Sequence, residues 1–327
     1  MKKISILLIV AMALMAMVGC NDASDEGLKD VTVVLDWTPN TNHTGLYVAV
    51  ENGYFEEEGL NVEIIQPSSG TAEQLIATEK AEFGVSYQEN VTLARLEDIP
   101  VVSIAAVIQH NTSGFASIAS KGIKSPKDFQ DKKYGGWGSP IEAAMLKALV
   151  EKDGGDFEKV EILTSGASDF FAMSKNDIDF AWIFEGWTAV EAELNNIELD
   201  YIPLKEWDEN LDYYTPVLIT SENMIEKNPE MVKGFMAAVS KGYEFSIDSP
   251  EAAGKILLKH APELDEALVL KSQEFLAAEY QSDASQWGIQ KSSVWTNYQN
   301  WLFERNLIDD VMDVEKAFTN EFLPKVK

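Results

Sequence analysis

Val31-Thr32-Val33-Val34-Leu35 runs through Asp36-Trp37-Thr38-Pro39-Asn40-Thr41-Asn42-His43-Thr44 into Gly45-Leu46-Tyr47-Val48-Ala49, and the chain returns at Asn61-Val62-Glu63-Ile64-Ile65. The first and last of these are short β-branched apolar runs, the signature of a strand. Between them residues 45–52 read as a helix. It stops at Gly53, the residue type that best tolerates the left-handed conformation just past a helix end. A strand, a helix and a second strand at this spacing predict a βαβ unit with parallel strands.

The alternation continues outward from this unit. A helix is expected over 71–78, a strand over 83–86, a helix ending at Leu96 and a strand over 101–109. A second set begins near Phe115, with strands over 133–137, 160–163 and 178–183. Its helix over 141–152 is entered through Gly138-Ser139-Pro140, where serine suits the N-cap and proline the first helical position. Residues 217–220 return as a strand after Tyr213-Tyr214-Thr215-Pro216, and from Asn228 onward the pattern is nearly all helical. The sequence holds no internal repeat and no low-complexity segment. The expected fold is α/β in two lobes with parallel, doubly wound sheets. Lobe 1 takes residues 31–112 and 213–327, lobe 2 residues 113–212, and the chain crosses near 111–115 and 211–216. Ligands of such sheets sit beyond the carboxyl ends of the strands, here in a cleft between the lobes.

The chain opens Met1-Lys2-Lys3, followed by an uncharged run from Ile4 to Gly19, as a secretory signal does. Met17-Val18-Gly19-Cys20 resembles the lipobox of bacterial lipoproteins, which are cut before the cysteine and acylated on its sulfur. The expectation is a signal peptide over 1–19, a lipidated Cys20, a polar tether over 20–30 and an extracytoplasmic protein anchored to the membrane. Cys20 is the single cysteine of 327 residues, which excludes an internal disulfide or a thiolate metal cluster. Loss of Lys2 and Lys3 takes the 26 basic side chains to 24 against 54 acidic ones, a formal charge of −30. That balance argues against nucleic acid and against adhesion to anionic lipid. With 46% apolar residues and 8 Trp, the chain can build a sizeable core.

Three stretches carry a resemblance. They are the string from Asp36 to Ala49 with Gly53-Tyr54-Phe55 and Glu58-Gly59-Leu60, then Gly136-Trp137-Gly138-Ser139-Pro140, then Phe184-Glu185-Gly186-Trp187. Together they resemble the formylaminopyrimidine-binding proteins of bacterial thiamine-precursor importers and their relatives, over nearly the whole chain after the signal. The resemblance implies a two-lobed periplasmic-binding-protein fold of type II. It further implies a small heterocyclic ligand, the permease and ATPase subunits of an ABC importer as partners, and no catalysis. No cofactor and no metal are expected, and the protein is expected to be a monomer.

The residues themselves suit a flat ring. Trp37 follows the first strand and Tyr87 the third, so both stand at the ligand-facing edge of their sheet. Trp187, Tyr213 and Tyr214 are candidates of the same kind, since an aromatic side chain stacks on a planar heterocycle. Trp207 and Trp301 read as core. Glu185, at the end of the apolar stretch Phe180-Ala181-Trp182-Ile183-Phe184, is expected to meet the amine and ring nitrogen of an aminopyrimidine. Asn40 and Asn42 supply polar groups. His43 either reaches the ligand or caps the helix beside it. Gly138 and Ser139 present a helix N-terminus able to take an amide oxygen or a small anion. His110 and His260 lack partners at metal spacing.

Two other readings share the pattern. A receptor for riboflavin, another heterocycle or a sulfonate or nitrate belongs to the same class, although an anion site should offer cations where these loops hold Glu185 and Glu89. A pyrimidine-precursor synthase is the reading from another class. Its relatives carry a cysteine-rich segment where this chain reads Tyr213-Tyr214-Thr215-Pro216-Val217.

Overall fold

The strand of the opening unit forms as β1 (Lys29–Val34), and Thr44–Glu51 is the helix that follows it. A computed structural model describes residues 27–67, 71–164, 166 and 169–325. The expected signal, Cys20 and the tether up to residue 26 lie outside the described residues. After β1 come β2 (Leu60–Ile65), β3 (Phe83–Ser86) and β4 (Val101–Ala106). The chain then builds β5 (Ser113–Ile118), β6 (Lys133–Gly136), β7 (Glu161–Thr164), β8 (Phe180–Phe184) and β9 (Leu199–Pro203), and returns as β10 (Val217–Ser221).

These strands make two five-stranded sheets, one per lobe, ordered β2-β1-β3-β10-β4 and β7-β6-β8-β5-β9. The parallel expectation is corrected here, because both sheets are mixed. β1 pairs in parallel with β2 and β3, but β10 runs antiparallel to β3 and β4. Likewise β6 is parallel to β7 and β8, while β5 is antiparallel to β8 and β9. The reason is topological. β5 and β10 each follow a passage between lobes, so they start at the cleft, where the parallel strands end, and run away from it.

Each lobe has its own core. In lobe 1, Phe235 of the helix Pro229–Asp248 stacks on Phe83 with ring centroids 3.7 Å apart. That helix lies against Thr44–Glu51 through two glycines. A Cβ on Gly45 would run into the Tyr243 ring, and one on Gly242 into the Gly45 carbonyl. In lobe 2, Phe129 stacks on Phe180 at 4.1 Å, and Phe115 meets both edge-on. The helix Ser292–Glu304 straps the lobes together, sending Trp295 into a lobe 1 cluster and Tyr298, Trp301 and Leu302 into the lobe 2 core.

The two crossings are hydrogen-bonded to each other. The Asn111 N–H donates to Asp212 Oδ1 at 2.8 Å, its Nδ2 to the Leu211 carbonyl at 2.8 Å, and the Val107 N–H to the Pro216 carbonyl at 3.0 Å. No helix of the described residues is long and apolar enough to cross a membrane.

Candidate functional site

Between the lobes lies a cavity of about 580 Å³. It opens where the parallel strands of both sheets end, as the topology requires. Lobe 1 contributes Asp36, Trp37, Asn40, Asn42, Tyr87 and Glu89 to its wall. Lobe 2 contributes Trp137 and Ser139, the strand residues Ala181–Phe184, the helix Phe170–Ser174 through Phe170 and Met173, and then Trp187 and Glu191. Trp37 and Trp137 keep 42% and 47% of their surface exposed, unusual for tryptophan and explained by their position at the mouth. Trp137 and Trp182 meet with centroids 5.4 Å apart, and Tyr87 stacks towards Phe184 across the cleft at 6.3 Å. Among the described residues of the wall there is no lysine, arginine, histidine or cysteine.

The loop after β1 is locked from within. Asn40 caps the short turn Thr41–His43, its side-chain oxygen accepting from the Asn42 N–H at 2.9 Å. The Asn40 N–H donates to His43 Nδ1 at 3.2 Å. A backbone N–H can only donate, so the ring proton of His43 sits on Nε2, which meets Asp36 Oδ1 at 2.6 Å. The other Asp36 oxygen accepts from the Tyr87 hydroxyl. Burial pushes the Asp36 carboxyl up, but His43 and Tyr87 outweigh it and hold the group below its ordinary value. His43 is fully buried behind this pair and does not reach the cavity.

Glu89 is the opposite case. It is the second residue of the helix Gln88–Leu96, and Oε1 accepts from the Tyr213 hydroxyl at 2.9 Å. Oε2 is closed off from solvent and bonds to nothing among the described residues. Burial, only partly offset by hydrogen bonds, pushes the carboxyl up to about 7.

Trp37, Asn40, Tyr87, Ser139 and Trp187 of the expected residues stand on the cavity wall, and His43, Gly138, Glu185, Tyr213 and Tyr214 do not. Glu185 opens a π-helical turn, Glu185–Ala189, and its N–H donates to the Thr112 carbonyl at 2.9 Å. Phe184, the last residue of β8, lines the cavity. Glu185 looks to Lys205, Glu206 and Glu279, and its carboxyl is raised chiefly by burial. Tyr213 and Tyr214 are core residues of the second crossing. The Tyr214 N–H donates to Gln88 Oε1 at 2.9 Å, and its hydroxyl accepts from the Lys291 N–H at 2.9 Å.

Gly138 and Ser139 do cap the helix Pro140–Lys152 with serine and proline in the expected places. Their donors are spent, however. The N–H groups of Trp137, Gly138 and Ser139 all donate to the buried carboxylate of Glu142, at 3.1, 2.7 and 2.8 Å, and the Tyr134 hydroxyl joins them at 2.6 Å. Among the wall residues that sequence reasoning left out are Asp36, Trp137, Asp169, Trp182 and Glu191. Trp137 follows β6 as Trp37 follows β1, so the strand-end rule already pointed to it.

The NMT1/THI5 like family matches residues 40–253. The chain is 32% identical over 330 residues to the formylaminopyrimidine-binding protein of Halalkalibacterium halodurans, covering 96% of this chain and 97% of that one. It is 24% identical over 296 residues to the 4-amino-5-hydroxymethyl-2-methylpyrimidine phosphate synthase of Legionella pneumophila, covering 90% and 92%. The alkanesulfonate-binding protein SsuA from Xanthomonas axonopodis pv. citri superposes with a TM-score of 0.68 at 11% identity over 90% of this chain and 99% of that one, a likeness of fold.

Proposed function

Since this chain belongs to the NMT1/THI5-like family, we propose that it is the solute receptor of an ABC importer for a thiamine pyrimidine precursor such as formylaminopyrimidine. The observation that carries the reading is the wall of the interlobe cavity, where tryptophans from both lobes stand beside carboxyl groups and no described residue is cationic. Aromatic faces suit a planar ring, and carboxyl groups suit its N–H donors. An alkanesulfonate or nitrate would meet like charge there, and the N–H groups of Trp137, Gly138 and Ser139 are already given to Glu142.

The synthase reading is weaker on the same wall. His43 has both ring nitrogens engaged and is screened by Asp36 and Tyr87, so it offers no reactive group to a bound ligand. On the proposed division, residues 31–112 and 213–327 form one lobe and 113–212 the other, with Ser292–Glu304 as a strap across both. Ligand contacts are proposed for Trp37, Asn40, Tyr87, Ser139 and Trp187. Cys20 is the proposed lipid anchor, and acyl labelling that persists in Cys20→Ser would remove it.

Calorimetric titration of the purified chain with a formylaminopyrimidine, riboflavin and an alkanesulfonate tests the ligand class. Preference for the pyrimidine is expected. Tight binding of the sulfonate with indifference to the pyrimidine would overturn the reading.

A further inference from the structure

We propose that the cavity sorts its ligand by lobe, and that the lobe 2 wall is a subsite for an alkyl substituent carried by the heterocycle. The inference rests on the receptor reading above and adds to it the kind of ring preferred, one alkylated beyond a methyl group over a bare one.

The two walls differ in kind. Lobe 1 lines the cavity with two aromatic rings, Trp37 and Tyr87, and otherwise with acids and amides; among its described wall residues there is no aliphatic side chain. Lobe 2 brings Phe170, Phe171, Met173, Ile178, Ala181 and Ile183 to the wall, and all six belong to one apolar cluster. Ala181 and Ile183 come from β8, Ile178 just precedes it, and the helix Phe170–Ser174 supplies the other three. Phe170 and Phe171 meet edge to face with centroids 5.1 Å apart. Phe171 and Met173 are only partly buried, so the patch reaches the cavity surface. Two polar residues of the lobe 2 wall are occupied as helix caps. Asp169 Oδ1 accepts from the Ala172 N–H at 2.7 Å, and Ser139 Oγ from the Ile141 N–H at 3.4 Å.

Apolar surface that faces an open cleft stays wet until something apolar covers it, and covering it is favourable. Size points the same way. A cavity of about 150 Å³ suffices for a bare six-membered ring. This one measures about 580 Å³, which leaves room for a chain of several carbons beside the ring. In a formylaminopyrimidine the second ring carbon lies directly across from the carbon that bears the formamide arm. With the arm and the neighbouring amine turned to the acids and amides of lobe 1, a group on that second carbon points at the lobe 2 patch. Each carbon it adds then leaves water for the cluster of Phe170, Met173 and Ile183.

The test is calorimetric titration of the whole chain with four formylaminopyrimidines that carry hydrogen, methyl, ethyl or propyl on that carbon. Affinity should climb by about fourfold for each carbon added. Met173→Gln keeps the length of the side chain and its helix propensity but sets an amide in the patch, and Ile183→Thr trades an ethyl group for a hydroxyl. At least one of them should cut the gain to less than about twofold per carbon. Trp37→Ala, on the opposite wall, should weaken all four compounds alike and keep the climb. A propyl compound bound no more tightly by the parent than the hydrogen compound overturns the subsite and leaves the receptor reading intact. A climb that stays full in both folded lobe 2 variants, or that Trp37→Ala alone abolishes, does the same. A parent that binds none of the four overturns both.

Discussion

Trp37 and Trp301 show how far two tryptophans of one chain can differ in purpose. Trp37 lines the cavity at 42% exposure, whereas Trp301 is 2% exposed and gives its indole N–H to Asp208 Oδ2 at 3.0 Å. Trp37→Ala should therefore weaken pyrimidine binding by roughly 1–3 kcal/mol through lost stacking and leave the urea midpoint unmoved. Trp301→Ala should cost about 3–5 kcal/mol of stability, measured by urea unfolding. Equal destabilisation by both would refute the distinction. Two carboxyls of the same cavity also pull stability in opposite directions with pH. Asp36 is held below its ordinary value, so the stability it contributes is full above that value and drains away as pH falls through it. Glu89 is raised from 4.5 to about 7, so it costs stability as pH rises through that window. Urea unfolding of Asp36→Asn should fall short of the parent at pH 6, by a margin that narrows as the pH is lowered below 3.8. Glu89→Gln should exceed the parent at pH 8 by on the order of a few kcal/mol and match it at pH 4.

Among the elements, Thr44–Glu51 and Pro229–Asp248 meet through two glycines that leave no room for a side chain. Gly45 has no room for a methyl group against Tyr243, whose hydroxyl donates to the Asn42 carbonyl at 2.6 Å and so ties this contact to the cavity loop. Gly45→Ala is expected to destabilise by about 1–3 kcal/mol and to loosen ligand binding with it, as thermal unfolding and titration of one preparation would show. An unchanged melting temperature would mean that the helices can slide apart freely. Local pattern was enough to read β1, β3 and the Ser139-Pro140 helix start, because strand propensity and capping act within a few residues. Strand direction was not legible. Nothing in Val217-Leu218-Ile219-Thr220 tells that β10 arrives from the other lobe and runs backwards, and β9 escaped because Asp200 and Pro203 interrupt its apolar character. At the site, the strand-end rule pointed to Trp37, Tyr87 and Glu185, of which the first two stand on the cavity wall, while Glu185 already belongs to the π-helical turn after β8. Glu89 acquires its character from burial among residues distant in the chain, its hydrogen-bond partner Tyr213 lying 124 residues away, so no local pattern could announce it.

At the scale of the molecule the two lobes are joined by paired crossings and by the strap Ser292–Glu304. Ligand held between Trp37 on one lobe and Trp137 or Trp182 on the other should draw the lobes together. Solution scattering should record a smaller radius of gyration with pyrimidine than without. Binding accompanied by no compaction would indicate a cleft already closed. The loop at residues 137–139 bears on what such a molecule leaves behind. Its N–H groups would suit a phosphate or sulfonate, yet Glu142 is bonded to all three. A tethered competitor acts at an effective concentration that a free solute at ordinary abundance does not approach. An ester carrying its own phosphate would have to evict a group that never diffuses away, and then share the cavity with the displaced charge. On the proposed reading the site thus carries its own antagonist for anions, and should admit an uncharged ligand where it refuses the phosphorylated form.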